Sequence, residues 1–301
     1  MKVSPVIRSM RLRTLPLSLA GVILGIMLAC ANDPSRADAG TIIFILLTTV
    51  CLQILTNLSN ELGDYLCGTD GEGREGPIYS LAEGKITVKD FKKLIIFFAV
   101  LSAIFGVIMI WCAFGTFFAL KPALLLLLGA CAIWAAMRYM LGKNSYGSKG
   151  HGDIFVFIFF GIVSVMGSYF VMAQTFDDWT IMLPAIAIGL FSVGVLNVNN
   201  IRDMESDRGT RLTIPLRIGE KKAKTYQACL IYGGLICILL FDIFSAHLFF
   251  FWIFTTIPFI MHIKGVNEHS GHDLDKYLPM LVLTTFALCL ILGIEAILSP
   301  W

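Results

Sequence analysis

The amino-acid sequence predicts an all-α integral membrane protein with one membrane domain over residues 1–301. Of its 301 residues, 57% are hydrophobic and 15% are charged, against roughly 45–50% and about 25% in soluble domains. The mean hydropathy is +0.79. The core of a single water-soluble domain could not bury that many apolar residues. The composition therefore argues against a soluble enzyme and against a nucleic-acid partner, and makes the lipid bilayer the expected surroundings.

Nine apolar segments are long enough to be transmembrane helices, since a helix needs about 20 apolar residues to cross a bilayer. The fourth segment carries Lys121 near one end, and the seventh is short. A closed β-barrel is excluded because these apolar runs are continuous rather than alternating. The nine predicted spans cover residues 14–31, 41–60, 94–115, 117–137, 154–174, 179–201, 225–241, 246–263 and 278–298.

The positions of lysine and arginine predict the orientation of these spans. Of the 23 basic residues, only Arg36 and Lys121 fall in segments on one side, and all the others fall on the opposite side. Basic residues accumulate in cytoplasmic loops. The amino terminus is therefore expected in the cytoplasm and the carboxyl terminus outside, in a plasma (bacterial inner) membrane.

Two features complete the predicted organisation. Residues 61–93 and 202–224 form two long cytoplasmic loops. Seven of the eight cysteines lie in apolar segments, and none has the spacing of a metal site. One alternative concerns residues 1–31, which combine basic residues, an apolar run and Ala29-Cys30-Ala31 as a cleaved signal peptide does.

The two loops begin with matched acidic motifs. Asn60 precedes Asp64 by four residues, and Asn199 precedes Asp203 in the same way, with Asp207 four residues further on. Residues spaced by four share one face of a helix. Helix capping alone explains any one of these residues, but not two matched clusters on one side of a membrane. Clustered carboxylates repel unless cations neutralise them, and oxygen ligands suit Mg²⁺ shared with phosphates. We therefore expect two carboxylate clusters that face each other across Mg²⁺ and a diphosphate.

Basic residues beside the motifs fit a bound diphosphate. Arg74 follows the first motif, and Lys143 lies in the loop after the fourth span. Most of the basic residues are also explained by their cytoplasmic location alone. Arg208 and Arg211, which adjoin the second motif, are the better candidates for diphosphate contacts. Asp153, at the head of the fifth span, is expected to cap that helix.

Both motifs resemble the two aspartate-rich motifs of the UbiA-type membrane prenyltransferases. The similar segments are residues 60–64 with Asp70, and residues 199–208. Within the family the likeness is to the menaquinone-pathway branch, which acts on 1,4-dihydroxy-2-naphthoate. The segments that support this branch are 11–16, 74–77, 151–157 and 211–219. Two positions depart from the family pattern: Glu61 stands in place of Asp, and Leu12 in place of Pro after Arg11.

The resemblance implies a nine-helix bundle whose cavity opens sideways to the lipid beneath two cytoplasmic cap loops. It implies Mg²⁺-dependent transfer of a polyprenyl chain from an allylic polyprenyl diphosphate to 1,4-dihydroxy-2-naphthoate, with loss of CO₂ and diphosphate. Glu61, with its longer side chain, is expected to hold a metal through water. The implied catalytic residues are Asp64, Asp203, Asp207 and Lys143. The implied substrate-binding residues are Arg11, Arg74, Tyr139, Lys143, Arg208 and Arg211. The implied metal ligands are Asn60, Glu61, Asp64, Asp70, Asn199, Asp203 and Asp207.

Several alternatives stay open at this point. Within the family they are 4-hydroxybenzoate polyprenyltransferase, haem O synthase and archaeal-type lipid ether synthases. In another class, an ion-coupled secondary transporter would also use Asp and Asn, although transporter sites lie near the membrane midplane on broken helices. A non-catalytic scaffold would not need two matched carboxylate clusters. The sequence determines neither the length of the prenyl chain nor the oligomeric state.

Overall fold

The computed structural model describes residues 3–68, 80–141, 145, 147–176, 178–245 and 250–299. Within these ranges the chain is helical and has no strand, which confirms the predicted all-α class. The twelve α-helices are α1 (Val3–Met10), α2 (Leu15–Asn32), α3 (Ala39–Cys67), α4 (Val88–Phe114), α5 (Leu120–Arg138), α6 (Gly152–Ala173), α7 (Met182–Arg202), α8 (Met204–Asp207), α9 (Ile214–Ile218), α10 (Glu220–Ser245), α11 (Thr256–Glu268) and α12 (Tyr277–Leu298).

Eight helices of the described part of the chain are long and apolar enough to cross a membrane. The prediction of nine is therefore wrong, and the segment that differs is 246–263. Its described part is a 3₁₀ turn, Phe251–Thr255, followed by the 13-residue helix α11. Residues 246–249 lie outside the described residues. The last two turns of α11 are polar, with His262, Lys264 and Glu268, so this helix lacks the continuous apolar length of the others.

The segment from 251 to 268 nevertheless returns along the bundle. At its start, the backbone N–H of Trp252 donates to Glu295 Oε1 near the end of α12, at 3.2 Å. At its end, Lys224 Nζ at the beginning of α10 donates to Ser270 Oγ at 3.1 Å. The start of α12 therefore lies at the same end of the bundle as the start of α10.

The buried core runs between α2, α6, α7, α10 and α12, and a second apolar cluster joins α3 to α4. Glycines allow the closest approaches. A Cβ on Gly25 of α2 would lie 2.2 Å from the Val165 carbonyl oxygen. A Cβ on Gly161 of α6 would lie 2.6 Å from the Ala185 carbonyl oxygen, so neither position has room for a side chain. Large apolar side chains such as Phe97, Trp111 and Leu127 remain exposed on the outer surface of the bundle, as lipid contact requires.

Helix α3 continues beyond its apolar span and carries the first acidic motif on its last two turns. The predicted span ends at residue 60, whereas the helix ends at Cys67, where Gly68 takes the left-handed conformation (φ 75°). Asn57, Glu61 and Asp64 are buried in the protein, so their polar groups are hydrogen-bonded internally instead of meeting lipid. The first motif therefore lies on a helix, as its spacing of four residues requires.

Candidate active site

The two acidic motifs lie at one end of the bundle and face a single cavity. Asn60 and Asp64 line it from α3, and Asn199, Asn200 and Asp203 line it from the end of α7. The spacing of four residues places each Asn and Asp pair on one helix face, as the sequence predicts. The cavity thus concentrates carboxylate and amide oxygens between two helices that are distant in sequence.

Arg211 joins the two motifs. Its Nη2 lies 2.5 Å from Asp64 Oδ1, and its Nε lies 3.5 Å from Asp207 Oδ1. All three side chains are largely buried, with 15%, 5% and 3% of the Arg211, Asp64 and Asp207 side chains exposed. Burial lowers the pKa of the Arg211 guanidinium, but Asp64 and Asp207 raise it above its ordinary value. A fixed positive charge therefore sits between the carboxylates that the sequence assigns to metal binding.

Asp203 is held by a second arginine. Arg202 Nε and Nη2 donate to the two oxygens of Asp203, each at 2.7 Å. The same guanidinium donates to Asn199 Oδ1 at 2.9 Å and to Asp275 Oδ1 at 2.5 Å. Such bidentate contacts fix both the position and the plane of a carboxylate. Arg202 therefore fixes the orientation of the Asp203 carboxylate.

Asn60 supplies an oxygen that fits a cation. Its Oδ1 is buried, lines the cavity side of α3 and has no hydrogen-bond partner within the part of the chain that the structure describes. A buried amide oxygen without a partner costs free energy, and a bound cation would remove this cost. The described residues contain no group of three or more His, Cys, Asp or Glu side chains arranged for a metal. Mg²⁺ is usually bound through only one or two carboxylates with water and phosphate, so the donor set fits that ion.

Three residues of the expected set do not line the cavity. Glu61 Oε1 accepts from Ser9 Oγ at 3.1 Å and from the Leu81 N–H at 3.0 Å, so this carboxylate links α3 to the amino-terminal helix and to the turn before α4. Arg208 is exposed and pairs with Glu205 at 3.1 Å. Asp207 contacts Arg211 but does not line the cavity.

Three further residues of that set, Asp70, Arg74 and Lys143, lie outside the described residues. Their expected roles in metal and substrate binding stay predictions.

Arg11 and Tyr139 do line the cavity. Arg11 has a left-handed backbone (φ 49°), and Thr14 Oγ1 donates to its carbonyl oxygen at 2.9 Å. Asn57 Nδ2, one turn before the first motif, donates to the Met10 carbonyl at 2.8 Å. These bonds hold the backbone of Arg11 beside the end of α3. Burial raises the pKa of Tyr139 from 10.0 to about 12, so its phenol is neutral near pH 7.

The sequence did not identify two charged residues of the cavity wall as site residues. Arg202 was expected only as one of several cytoplasmic arginines, and Asp153 only as a helix cap. Asp153 instead lines the cavity next to Gly150 and Gly152. The close spacing of Gly147, Gly150 and Gly152 could have indicated a place where the backbone approaches a ligand.

Comparison with known proteins identifies the family. Residues 18–282 match the UbiA prenyltransferase family. The chain belongs to this family. It is 39% identical over 249 residues to the 1,4-dihydroxy-2-naphthoate octaprenyltransferase of Escherichia coli (strain K12). The aligned region covers 82% of this chain and 79% of the relative. It is 36% identical over 240 residues to the enzyme of the same name from Haemophilus influenzae, which covers 78% and 76%.

Solved structures show the UbiA fold. A UbiA homologue from Archaeoglobus fulgidus bound to DMAPP and Mg²⁺ superposes with a TM-score of 0.64 at 16% identity, covering 95% of this chain and 98% of the other. An apo UbiA homologue from Aeropyrum pernix K1 gives 0.63 at 14% identity, covering 99% and 98%. The chain is therefore an integral membrane protein with the UbiA fold and a member of a transferase family, which argues against the ion-coupled transporter.

Proposed function

We propose that this UbiA-family protein transfers a polyprenyl chain from an allylic polyprenyl diphosphate to 1,4-dihydroxy-2-naphthoate, with loss of CO₂ and diphosphate, in menaquinone biosynthesis. The main observation behind the proposal is the convergence of Asn60, Asp64, Asn199 and Asp203 on one cavity that three arginines also line. The acceptor is supported by the relatives that share 36–39% identity with this chain.

The oxygens of Asn60, Asp64, Asn199 and Asp203 are the proposed ligands for Mg²⁺. Glu61 is left out of this set because it does not line the cavity and its Oε1 accepts hydrogen bonds from Ser9 and Leu81. When bound, Mg²⁺ supplies positive charge that stabilises the leaving diphosphate. Arg211 and Arg11 border the same space, and we assign them to the diphosphate oxygens. Binding of the donor and its metal would then exchange the contact between Arg211 and Asp64 for contacts with phosphate.

The chain's own residues also protect the reacting carbon. Ionisation of an allylic diphosphate leaves an allyl cation that water would capture, and a closed apolar cavity excludes water. Leu196, Met140 and Ile214 line the wall beside the polar motifs and give the prenyl chain and the aromatic ring apolar contacts. Tyr139, which stays neutral near pH 7, can donate a hydrogen bond to the acceptor without adding charge.

We also propose that the cavity end of the bundle faces the cytoplasm. Arg36 and Lys121 lie at the opposite end, where Lys121 Nζ donates to the Gln174 carbonyl oxygen at 2.6 Å, while the other described basic residues lie toward the cavity end. The bias of basic residues toward the cytoplasm gives this orientation. It places the amino terminus inside and the end of α12 outside.

The proposed reaction can be tested in membranes that contain this protein, supplied with Mg²⁺ and an allylic polyprenyl diphosphate. Either 1,4-dihydroxy-2-naphthoate or 4-hydroxybenzoate is the acceptor, and lipid products are identified by mass spectrometry. We expect a prenylated naphthoquinol that lacks the carboxylate, and no product with a chelator or in the Asp64→Ala and Asp203→Ala variants. Prenylated hydroxybenzoate alone would move the protein to another branch of the family. Absence of product from both acceptors, with folded protein, would contradict the proposal.

A further inference from the structure

The cavity contains a third carboxylate that the metal and diphosphate do not require. Asp153 is the second residue of α6 and lines the same cavity as the ends of α3 and α7. Asp64 pairs with Arg211, and Asp203 pairs with Arg202. Within the part of the chain that the structure describes, no arginine or lysine pairs with Asp153. Burial raises the pKa of the Asp153 carboxyl, and no fixed cation of those residues opposes this effect.

Asp153 is positioned by a hydroxyl from another helix. Tyr226 Oη on α10 donates to Asp153 Oδ2 at 3.0 Å. This bond fixes one carboxylate oxygen, and the group is only half-buried, so the other oxygen remains available to a ligand in the cavity. A neutral donor orients the carboxylate without neutralising it.

The cavity wall beside Asp153 combines a phenol with an apolar side chain. A Cβ on Gly152 would lie 2.9 Å from Tyr139 Oη and 3.4 Å from Leu196 Cδ2, so the absent side chain lets the Tyr139 phenol approach the backbone next to Asp153. Leu196 stands one turn before Asn199 on α7 and makes this part of the wall apolar. Asp153 thus has a phenol and an apolar side chain beside it in the cavity that the two polar motifs also line.

We propose that Asp153 is the proton acceptor for the ring hydroxyl of the aromatic substrate, with Tyr226 as its positioning residue. The inference rests on the proposed function and names a base for it. A phenol attacks a carbocation most readily once its proton has been removed, and a carboxylate within hydrogen-bond reach can take that proton.

The proposed step balances as follows. The ring O–H bond breaks and its proton passes to the Asp153 carboxylate, while the ring carbon that bears the carboxylate forms a C–C bond to C1 of the prenyl chain. The C–O bond of the donor breaks, and its electron pair leaves with the diphosphate. The ring is then a β-keto carboxylate. It loses CO₂, the electron pair of the broken C–C bond restores the aromatic ring, and the proton returns from Asp153 to the ring oxygen.

The test separates the acceptor from the donor. In purified Asp153→Asn protein, Mg²⁺-dependent binding of an unreactive thiolodiphosphate analogue of farnesyl diphosphate, followed by calorimetry, is expected to match the wild type within about threefold. Turnover with 1,4-dihydroxy-2-naphthoate is expected to fall by about 10²–10⁴-fold, the usual contribution of a general base. Asp153→Glu should recover part of the lost kcat. The loss should shrink with a ring-fluorinated acceptor, because its hydroxyl is more acidic.

Matched variants make each outcome decisive. Tyr226→Phe should lower kcat less than Asp153→Asn does, whereas Tyr232→Phe, exposed on the same helix, should change nothing. Retained turnover in Asp153→Asn would overturn the proposal, as would lost binding of the analogue, which would make Asp153 a metal or diphosphate ligand. If Asp153→Asn lowered turnover equally with 1,4-dihydroxy-2-naphthoate and with its ring-fluorinated form, the proposal would be overturned too. Asp153 would then maintain the shape of the site without accepting the proton. Failure of the wild type to use the naphthoate would instead reject the proposed function.

Discussion

Arg211 and Asp64 lie 147 residues apart in the sequence, yet Arg211 Nη2 is 2.5 Å from Asp64 Oδ1. This contact joins the end of α3 to the segment that follows the second motif. Asp207 contacts the same guanidinium. Removing one partner of a buried ion pair leaves the other charge uncompensated, which costs about 3–5 kcal/mol. The pair therefore stabilises the site in the absence of ligand and supplies a cation that can turn to the diphosphate.

Arg211→Ala should lower both stability and activity. Without the guanidinium, Asp64 and Asp207 repel each other, so we expect a lower melting temperature in chelator and a partial recovery on addition of Mg²⁺, which replaces the lost charge. Activity should fall by about 100-fold or more. Thermal unfolding in detergent with chelator or with Mg²⁺ measures this. A variant equally stable in both conditions would contradict the role assigned to Arg211.

Arg208→Ala is the matched contrast. Arg208 is exposed, and among the residues that the structure describes its ion-pair partner is Glu205. Exposed pairs contribute about 0–1 kcal/mol. Activity within about twofold of the wild type is therefore expected. A loss as large as that of Arg211→Ala would show that Arg208 reaches the diphosphate, as the sequence first suggested.

Asn60 and Glu61 are expected to differ in their effect on the metal requirement. Asn60→Ala removes a cavity oxygen, so the Mg²⁺ concentration needed for half-maximal activity should rise about 10-fold or more. Glu61→Gln keeps an oxygen that can accept from Ser9 and Leu81, so the requirement should stay unchanged. Titration of prenylation activity with Mg²⁺ compares the two. The reverse order would restore Glu61 to the metal ligands.

Asp275 should act on the metal through Arg202. It accepts from Arg202 Nη1 at 2.5 Å, and Arg202 in turn orients Asp203. Loss of such an outer partner typically weakens metal binding about 10–100-fold. Asp275→Asn should therefore raise the Mg²⁺ requirement, whereas Asp273→Asn, exposed on the same turn, should not. Equal behaviour of the two variants would show that Arg202 orients Asp203 without help.

Tyr139 should contribute a pH dependence only in strongly alkaline solution. Burial raises the pKa of Tyr139 from 10.0 to about 12. A group whose pKa is higher in the folded protein stabilises it below the unfolded pKa, and this stability is lost as the pH rises through the folded value. Between pH 10 and 12 the wild type should therefore lose more stability than Tyr139→Phe. Thermal unfolding at stepped pH measures the difference, and equal losses would contradict it.

Local periodicity predicted the helical class, and the location of the two matched motifs at helix ends on one side of the membrane predicted that they meet. Runs of apolar residues predict spans, and a spacing of four places Asn60 with Asp64 and Asn199 with Asp203. The span predicted over 246–263 was wrong because the polar residues of α11 shorten its apolar length. Charge alone does not separate Arg208 from Arg211, which are close in sequence, whereas in the structure Arg211 is the one of the two that lines the cavity.

The structural role of Glu61 and the cavity position of Asp153 could not be predicted from the sequence. Glu61 is adjacent to Asn60, and only the packing of α1 and of the turn at Leu81 against α3 shows which way its carboxylate points. Asp153 fits the pattern of a helix cap. Its place in the cavity depends on the contact with Tyr226, 73 residues away. Such contacts are properties of the tertiary fold and leave no local pattern.

The most direct test of the central claim is calorimetric binding of the unreactive farnesyl thiolodiphosphate to the purified protein with and without Mg²⁺. If α3 and α7 together form one magnesium diphosphate site, the wild type binds only with Mg²⁺, and Asp64→Asn and Asp203→Asn each weaken binding by about 10-fold or more. Binding that is independent of Mg²⁺, or that either variant leaves unchanged, would contradict a site shared by the two motifs.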